Sequence, residues 1–140
     1  MEAVNKGIDK ELFNQLVKIN SETDYHKLIG MDIVELGQGY AIMEVEIKNK
    51  HLNILGIAHG GVLFSIMDTT MAMAAKTIGK DIISLEMNIN FISPGKLNDK
   101  IRVVGKVIHP GKKTTITICD AYNQQNVLIA SARQTFYNMN

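Results

Sequence analysis

Residues 51–78, HLNILGIAHGGVLFSIMDTTMAMAAKTI, restrict what this chain can fold into more than any other stretch. They open polar and glycine-rich, with Asn53, Gly56 and His59-Gly60-Gly61, then run into an apolar segment of helical length. One carboxylate, Asp68, stands in its middle. A charge placed there is costly unless it is paired or used. Projected at 3.6 residues per turn, residues 60–78 put Leu63, Ile66, Met67, Met71 and Ala74 on one broad side, which needs a core to pack into. Gly61, Ser65, Asp68, Thr69 and Ala72 fall on the opposite stripe. That stripe is small and polar rather than rich in lysine and glutamate, so it is expected to meet a partner subunit with Asp68 near the seam.

The flanking sequence supplies the cover. Residues 9–19 place Leu12, Phe13, Leu16 and Val17 at helical spacing, with Asp9 as cap and Asn20-Ser21 as the break. A short second turn is expected from Ser21-x-x-Asp24 to just before Gly30. Residues 31–36 and 40–48 read as a hairpin around Gly37-Gln38-Gly39, with Ala41, Met43, Val45 and Ile47 on one face. Gly79 is expected to end the long helix in a left-handed conformation. Ile83, Leu85, Met87, Ile89 and Phe91 then alternate with Ser84, Glu86, Asn88 and Asn90. Pro94-Gly95-Lys96 breaks that strand, and strands at 101–109, 113–122 and 127–137 follow. Strands with one apolar face need covering, and the only long apolar element is the central helix. The expected fold class is therefore α+β, an antiparallel sheet wrapped around one long central helix, with residues 1–140 forming a single domain.

Composition removes several classes of function. A net charge of +1 gives no general support for a nucleic-acid or anionic-membrane partner. One cysteine, Cys119, cannot form an intrachain disulfide, which fits a reducing compartment. The N-terminus lacks an apolar run of signal-peptide length, and no stretch approaches the roughly 18 apolar residues of a spanning helix. A cytoplasmic protein without a membrane partner is the expectation. His26, His51, His59 and His109 lack metal-ligand spacing, so no metal is expected. No G-x-S-x-G elbow or phosphate loop is present.

The start of the long helix carries chemistry. Its glycines let a backbone N–H approach a ligand, and the helix dipole there favours developing negative charge, which suits an oxyanion of acyl transfer. Asp68 lies eight residues past Gly60, about 12 Å along the axis. Groups acting on one carbonyl must each sit within roughly 3 Å of reacting atoms. If both act, they come from different subunits.

The pattern His51-x-Asn53-x-x-Gly56-x-x-His59-Gly60-Gly61 followed by Asp68 resembles the hotdog-fold acyl-CoA thioesterases of the phenylacetic acid degradation (PaaI-like) group. The entry His26-Lys27-Leu28-Ile29-Gly30-Met31 and the strand from Ser84 to Pro94 are similar too. This resemblance implies a hotdog fold and a homodimer as minimum unit, often paired into a dimer of dimers. It implies hydrolysis of a coenzyme A thioester, with Asp68 as general base or nucleophile and the Gly60 N–H polarising the carbonyl. Asn53 would bond near the reacting centre, His59 would shape the site from the partner chain, and Ser84 would hold the attacking water. Gly61, Ser65 and Thr69 are candidate substrate contacts on the helix, and Pro94, Gly95 and Lys96 would touch the pantetheine arm. No cofactor is implied, since coenzyme A enters as part of the substrate.

Plainer roles stand beside these. Asn53 could only cap a loop, His59 suits positioning better than acid–base work, and Met67, Met71 and Met73 could be core filler or line an acyl tunnel. Lys96, Lys112 and Lys113 could meet phosphates or simply be solvated. Two other functions compete with hydrolysis. A hotdog hydratase or dehydratase pairs the acid with a nearby histidine, but position 73 is Met73. A non-catalytic acyl-CoA-binding protein is expected to need an output domain, for which 140 residues leave no room.

Overall fold

Helix α3 (Gly60–Lys76) forms from the apolar stretch, capped at His59 and ending on Thr77. Ile66, Met67, Met71 and Ala74 have no exposed surface and Leu63 very little, so the side expected to face the core does so. Burying each of the larger side chains favours the packed state by about 2 kcal/mol. The structure is a computed structural model that describes residues 2–140. Before α3 come β1 (Val4–Lys6), α1 (Lys10–Glu22), α2 (Asp24–Ile29), β2 (Asp32–Gly37), β3 (Tyr40–Glu46) and a 3₁₀ turn at Asn49–His51. After it come β4 (Ile82–Phe91), β5 (Lys100–Pro110), β6 (Thr114–Tyr122) and β7 (Leu128–Asn138).

The strands form one seven-stranded sheet in the order β1-β2-β3-β5-β6-β7-β4. All neighbours pair antiparallel except β1, which lies parallel to β2. The α+β expectation of an antiparallel sheet around one long helix therefore holds, with β1 and the 3₁₀ turn as additions. Ala41, Met43 and Val45 of β3, Ile101 and Val103 of β5, and Ala130 and Phe136 of β7 join α3 in the core. Where α3 crosses β5, Gly105 is required. A Cβ there would stand 3.1 Å from Thr70 Cγ2 and 3.4 Å from the Met71 nitrogen, so a larger residue would push the helix off the sheet. No helix among the described residues is long and apolar enough to cross a membrane.

Three local expectations change. Helix α1 does not break at Asn20-Ser21 but continues to Glu22. Asn20 is buried, its Nδ2 donating to the Met31 carbonyl at 3.0 Å and its Oδ1 bonded to His26 Nδ1 at 2.9 Å. With those partners outside α1, the side chain does not compete for the helix's own backbone groups. The cap at Asp9 is as expected, its Oδ2 accepting from the Leu12 N–H at 3.0 Å.

Strand β4 departs from simple alternation. A bulge between Ser84 and Glu86 breaks its register against β7. Past the bulge, Met87, Ile89 and Phe91 pair with Gln134, Ala132 and Ala130 and share their helix-facing side. Before it, Ser84 pairs with Phe136 and faces the helix as well, whereas Ile83 pairs with the exposed Tyr137. The extra residue thus turns Ser84 inward and leaves Ile83 and Leu85 exposed. Among the described residues β4 pairs only with β7, which leaves its other edge open.

The third change is on α3. Thr69, placed on the open stripe by projection, is only 8% exposed, while Phe64 is 41% exposed. Thr69 stands one turn past Ser65, on the flank where Tyr25 of α2 bonds to Ser65. Phe64 occupies the other flank, between Gly60 and Asp68.

Candidate active site

The first group of expected site residues gathers at the start of α3. His59 is the helix cap, its Nδ1 accepting from the Gly61 N–H at 2.8 Å, so a neutral imidazole carries its proton on Nε2. The His59 N–H donates to the His51 carbonyl and the Ala58 N–H to the Gly95 carbonyl, both at 2.8 Å. These bonds fix the chain on either side of Gly60. The Gly60 N–H, first of the helix, has no acceptor among the described residues. It opens on a cleft of ≈ 490 Å³ whose walls include Asn53, Leu63, Phe91, Pro94 and Gly95.

Asn53 does two things there. Its Oδ1 accepts from the Leu55 N–H at 2.9 Å and the Ile57 N–H at 3.3 Å, closing the loop that carries Gly56 at φ 77°. Its Nδ2 has no partner among the described residues and borders the cleft. The loop-capping role is therefore real, and it leaves the amide donor available.

The second group lies further along α3. Asp68 Oδ1 accepts from Gln134 Nε2 at 2.6 Å and from Ser84 Oγ at 3.3 Å. Gln134 Nε2 also donates to Ser84 Oγ at 3.0 Å. The half-buried carboxylate is thus held by one oxygen, while Oδ2 has no bond among the described residues. Asp68 and Ser84 meet as expected, and the bulge in β4 is what brings Ser84 to the helix. Gln134 was not among the expected site residues. Its signal was a glutamine at an inward position of the last strand, between Ala132 and Phe136.

The remaining expected residues do not join either group. Gly61 is exposed with its N–H taken by His59. Ser65 Oγ donates to the Gly61 carbonyl at 2.8 Å and bonds to Tyr25 Oη at 2.6 Å. Lys96 is exposed outside the cleft walls, its N–H donating to Asp99 Oδ2 at 2.9 Å. No residue of the Gly60 cleft belongs to the Asp68 cluster. A groove of ≈ 550 Å³ on the outer sheet face, beside the Arg102–Glu44 ion pair, holds none of the expected residues. No cluster of three potential metal-ligating side chains occurs among the described residues.

His26 of α2 senses this region. Its pKa lies below the ordinary 6.5 because burial penalises the imidazolium, with the Asp68 carboxylate partly opposing that. The unfolded chain then binds this proton at a pH where the folded chain does not. Stability should therefore fall as pH drops from 6.5 through the lower folded value. His26→Gln should remove this component. Its Tm should fall less than the wild type's between about pH 7.5 and about pH 5 in paired melting curves.

A free helix N-terminus over a cleft can stabilise a developing oxyanion and an anchored carboxylate can accept a proton, which is chemistry suited to acyl transfer. Comparison with known proteins agrees. The model of the thioesterase superfamily matches residues 55–130. The Acyl-coenzyme A thioesterase PaaI of Escherichia coli is 32% identical over 107 residues, covering 76% of each chain. The structure of the E. coli PaaI protein superposes with a TM-score of 0.90 at 25% identity, covering 96% of this chain and 97% of that one. The smu.793 protein of Streptococcus mutans, solved bound to acetyl CoA, superposes with a TM-score of 0.76 at 30% identity, covering 78% and 88%. The chain belongs to the thioesterase superfamily, as a PaaI-like hotdog thioesterase.

Proposed function

We propose that this protein hydrolyses a coenzyme A thioester, releasing a free acid and coenzyme A. The names of its relatives support the substrate class, and the observation that carries the mechanism is Asp68, held by Oδ1 alone with Oδ2 unbonded. In this reading the thioester carbonyl sits at the Gly60 N–H, where the helix start stabilises the oxyanion as it forms. Asp68 Oδ2 takes a proton from water attacking the carbonyl carbon, or attacks that carbon itself. In the first route the C–S bond then breaks and the sulfur leaves as the coenzyme A thiol with the proton that Asp68 took. In the second the sulfur leaves as a thiolate that solvent protonates, and water hydrolyses the resulting Asp68 anhydride to the free acid and the regenerated carboxylate. Ser84 keeps one lone pair with which to hold the water. The Asn53 amide faces the same cleft as Gly60, and Pro94 and Gly95 offer walls for the pantetheine arm. His59 shapes the helix start by capping it, whereas Gly61, Ser65, Thr69 and Lys96 lie outside the cleft walls and take no part in this scheme. No separate cofactor enters this scheme.

Two half-sites on one helix call for a second copy of the chain. The open edge of β4, with Ile83 and Leu85 exposed beside it, is a template for pairing with an identical strand. Phe64, between Gly60 and Asp68 on α3, and Ile54 and Leu55 on the cleft loop are further exposed apolar side chains that a partner would cover. We infer a two-fold dimer in which each Asp68 serves the cleft of the other chain.

The test is release of thiol from a panel of acyl- and aryl-CoA substrates. Asp68→Asn should lose turnover by about 10², the scale of a general base, while keeping the wild-type melting curve. Unchanged turnover in Asp68→Asn would exclude this mechanism. Absence of thiol release from every thioester by the wild type would point instead to a binding protein.

A further inference from the structure

We propose that Gln134 is a positioning residue for the hydrolysis, fixing which oxygen of Asp68 reacts and which way the Ser84 hydroxyl points. The inference rests on the reading of Asp68 as the reacting carboxylate. Alternation along β7 turns Ala130, Ala132, Gln134 and Phe136 toward α3, and Gln134 is only 1% exposed among them. A glutamine so placed must find partners for four hydrogen-bonding positions.

Both hydrogens of its amide are engaged. One goes to Asp68 Oδ1 at 2.6 Å and the other to Ser84 Oγ at 3.0 Å. Ser84 Oγ therefore accepts from Gln134, and its own hydrogen is directed to Asp68 Oδ1 at 3.3 Å. The three side chains close a ring in which Oδ1 takes two donors and Oδ2 takes none. That leaves Oδ2 as the oxygen free to act. It also leaves Ser84 one lone pair, so Ser84 can accept a hydrogen from water but can donate to water only by releasing Asp68.

The amide can stand only one way round. Flipped, its oxygen would lie against an ionised carboxylate oxygen and repel it. In the orientation that holds Asp68, Gln134 Oε1 is buried without a hydrogen-bond partner among the described residues. A buried carbonyl without a partner destabilises the fold. A leucine or methionine of similar volume would fill this position without that penalty. Gln134 thus weakens the core in order to hold a carboxylate, which is the signature of a group serving a reaction rather than packing.

This contrast gives a test that a merely structural role would fail. Gln134→Leu and Gln134→Met should lower kcat on the best wild-type acyl-CoA by on the order of ten- to a hundredfold, with KM little changed, because Gln134 does not touch the substrate. Their Tm should equal or exceed the wild type's. In an Asp68→Asn background, Gln134→Leu should cause no further loss of turnover, since the group it positions is already gone. Full turnover in folded Gln134→Leu, with Asp68→Asn inactive, overturns this inference and leaves the Asp68 reading standing. A fall in turnover that only tracks a fall in Tm, or one that multiplies with Asp68→Asn, also overturns it. Full turnover in Asp68→Asn overturns both readings together.

Discussion

Gly60→Pro should fold like the wild type and turn over thioester on the order of 10² to 10³ times more slowly, the cost of removing one oxyanion-stabilising donor. Position 60 is the first residue of α3, where proline is well tolerated because its missing N–H has no helical acceptor and its fixed φ suits a helix start. The residue before a proline must be extended, and His59 already is, at φ −61° and ψ 136°. The substitution therefore replaces the N–H by the ring's N–Cδ bond, removing a donor that has no acceptor among the described residues. One complication is steric. A Cβ at position 60 would stand 3.0 Å from Phe91 Cζ, so the exposed Phe91 ring must shift. Gly60→Ala is the control, because it makes the same demand on Phe91 and keeps the N–H. It should lose far less turnover than Gly60→Pro. Equal losses in the two variants would trace the effect to crowding at Phe91 and remove the donor role from Gly60.

The difference between what could be read from the residues and what could not follows from the range of the forces involved. The inward side of α3 was legible because five apolar positions repeat at helical period in the long apolar stretch that the sheet wraps. Asp68 was legible because a charge in an apolar run has few inexpensive explanations. Asn20 misled because its stabilising partners, the Met31 carbonyl and His26, lie outside the helix that it was expected to end. The β4 bulge carries no sequence mark, yet it decides that Ser84 faces Asp68 rather than solvent. Thr69 is buried on the flank of α3 where Tyr25 of α2 bonds to Ser65, a contact that projection of a lone helix does not contain. Gln134 sits 66 residues from Asp68, and only the sheet order brings β7 and β4 together against the helix. Local periodicity therefore located the main chain of the site. Long-range pairing supplied the groups that orient it.

Mixing two inactive variants should restore activity. Asp68→Asn retains its Gly60 cleft, and Gly60→Pro retains its Asp68 cluster, because the two groups share no residue within a chain. If each site takes its carboxylate from one chain and its helix start from the other, a mixed dimer contains one intact site and one doubly defective site. Random exchange of equal amounts makes half the dimers mixed, so turnover should rise from near background to about a quarter of the wild-type value. Sites contained within single chains predict no rise, only the average of the two parents. Exchange must be verified on the same sample, by native mass spectrometry of chains differing by a tag. Proven exchange without recovery would place both groups in one chain, and the separation of about 12 Å along α3 would then need a route other than a shared carbonyl. Recovery would establish the dimer as the unit of catalysis, since no rearrangement within a single chain can complement two different substitutions in two different molecules.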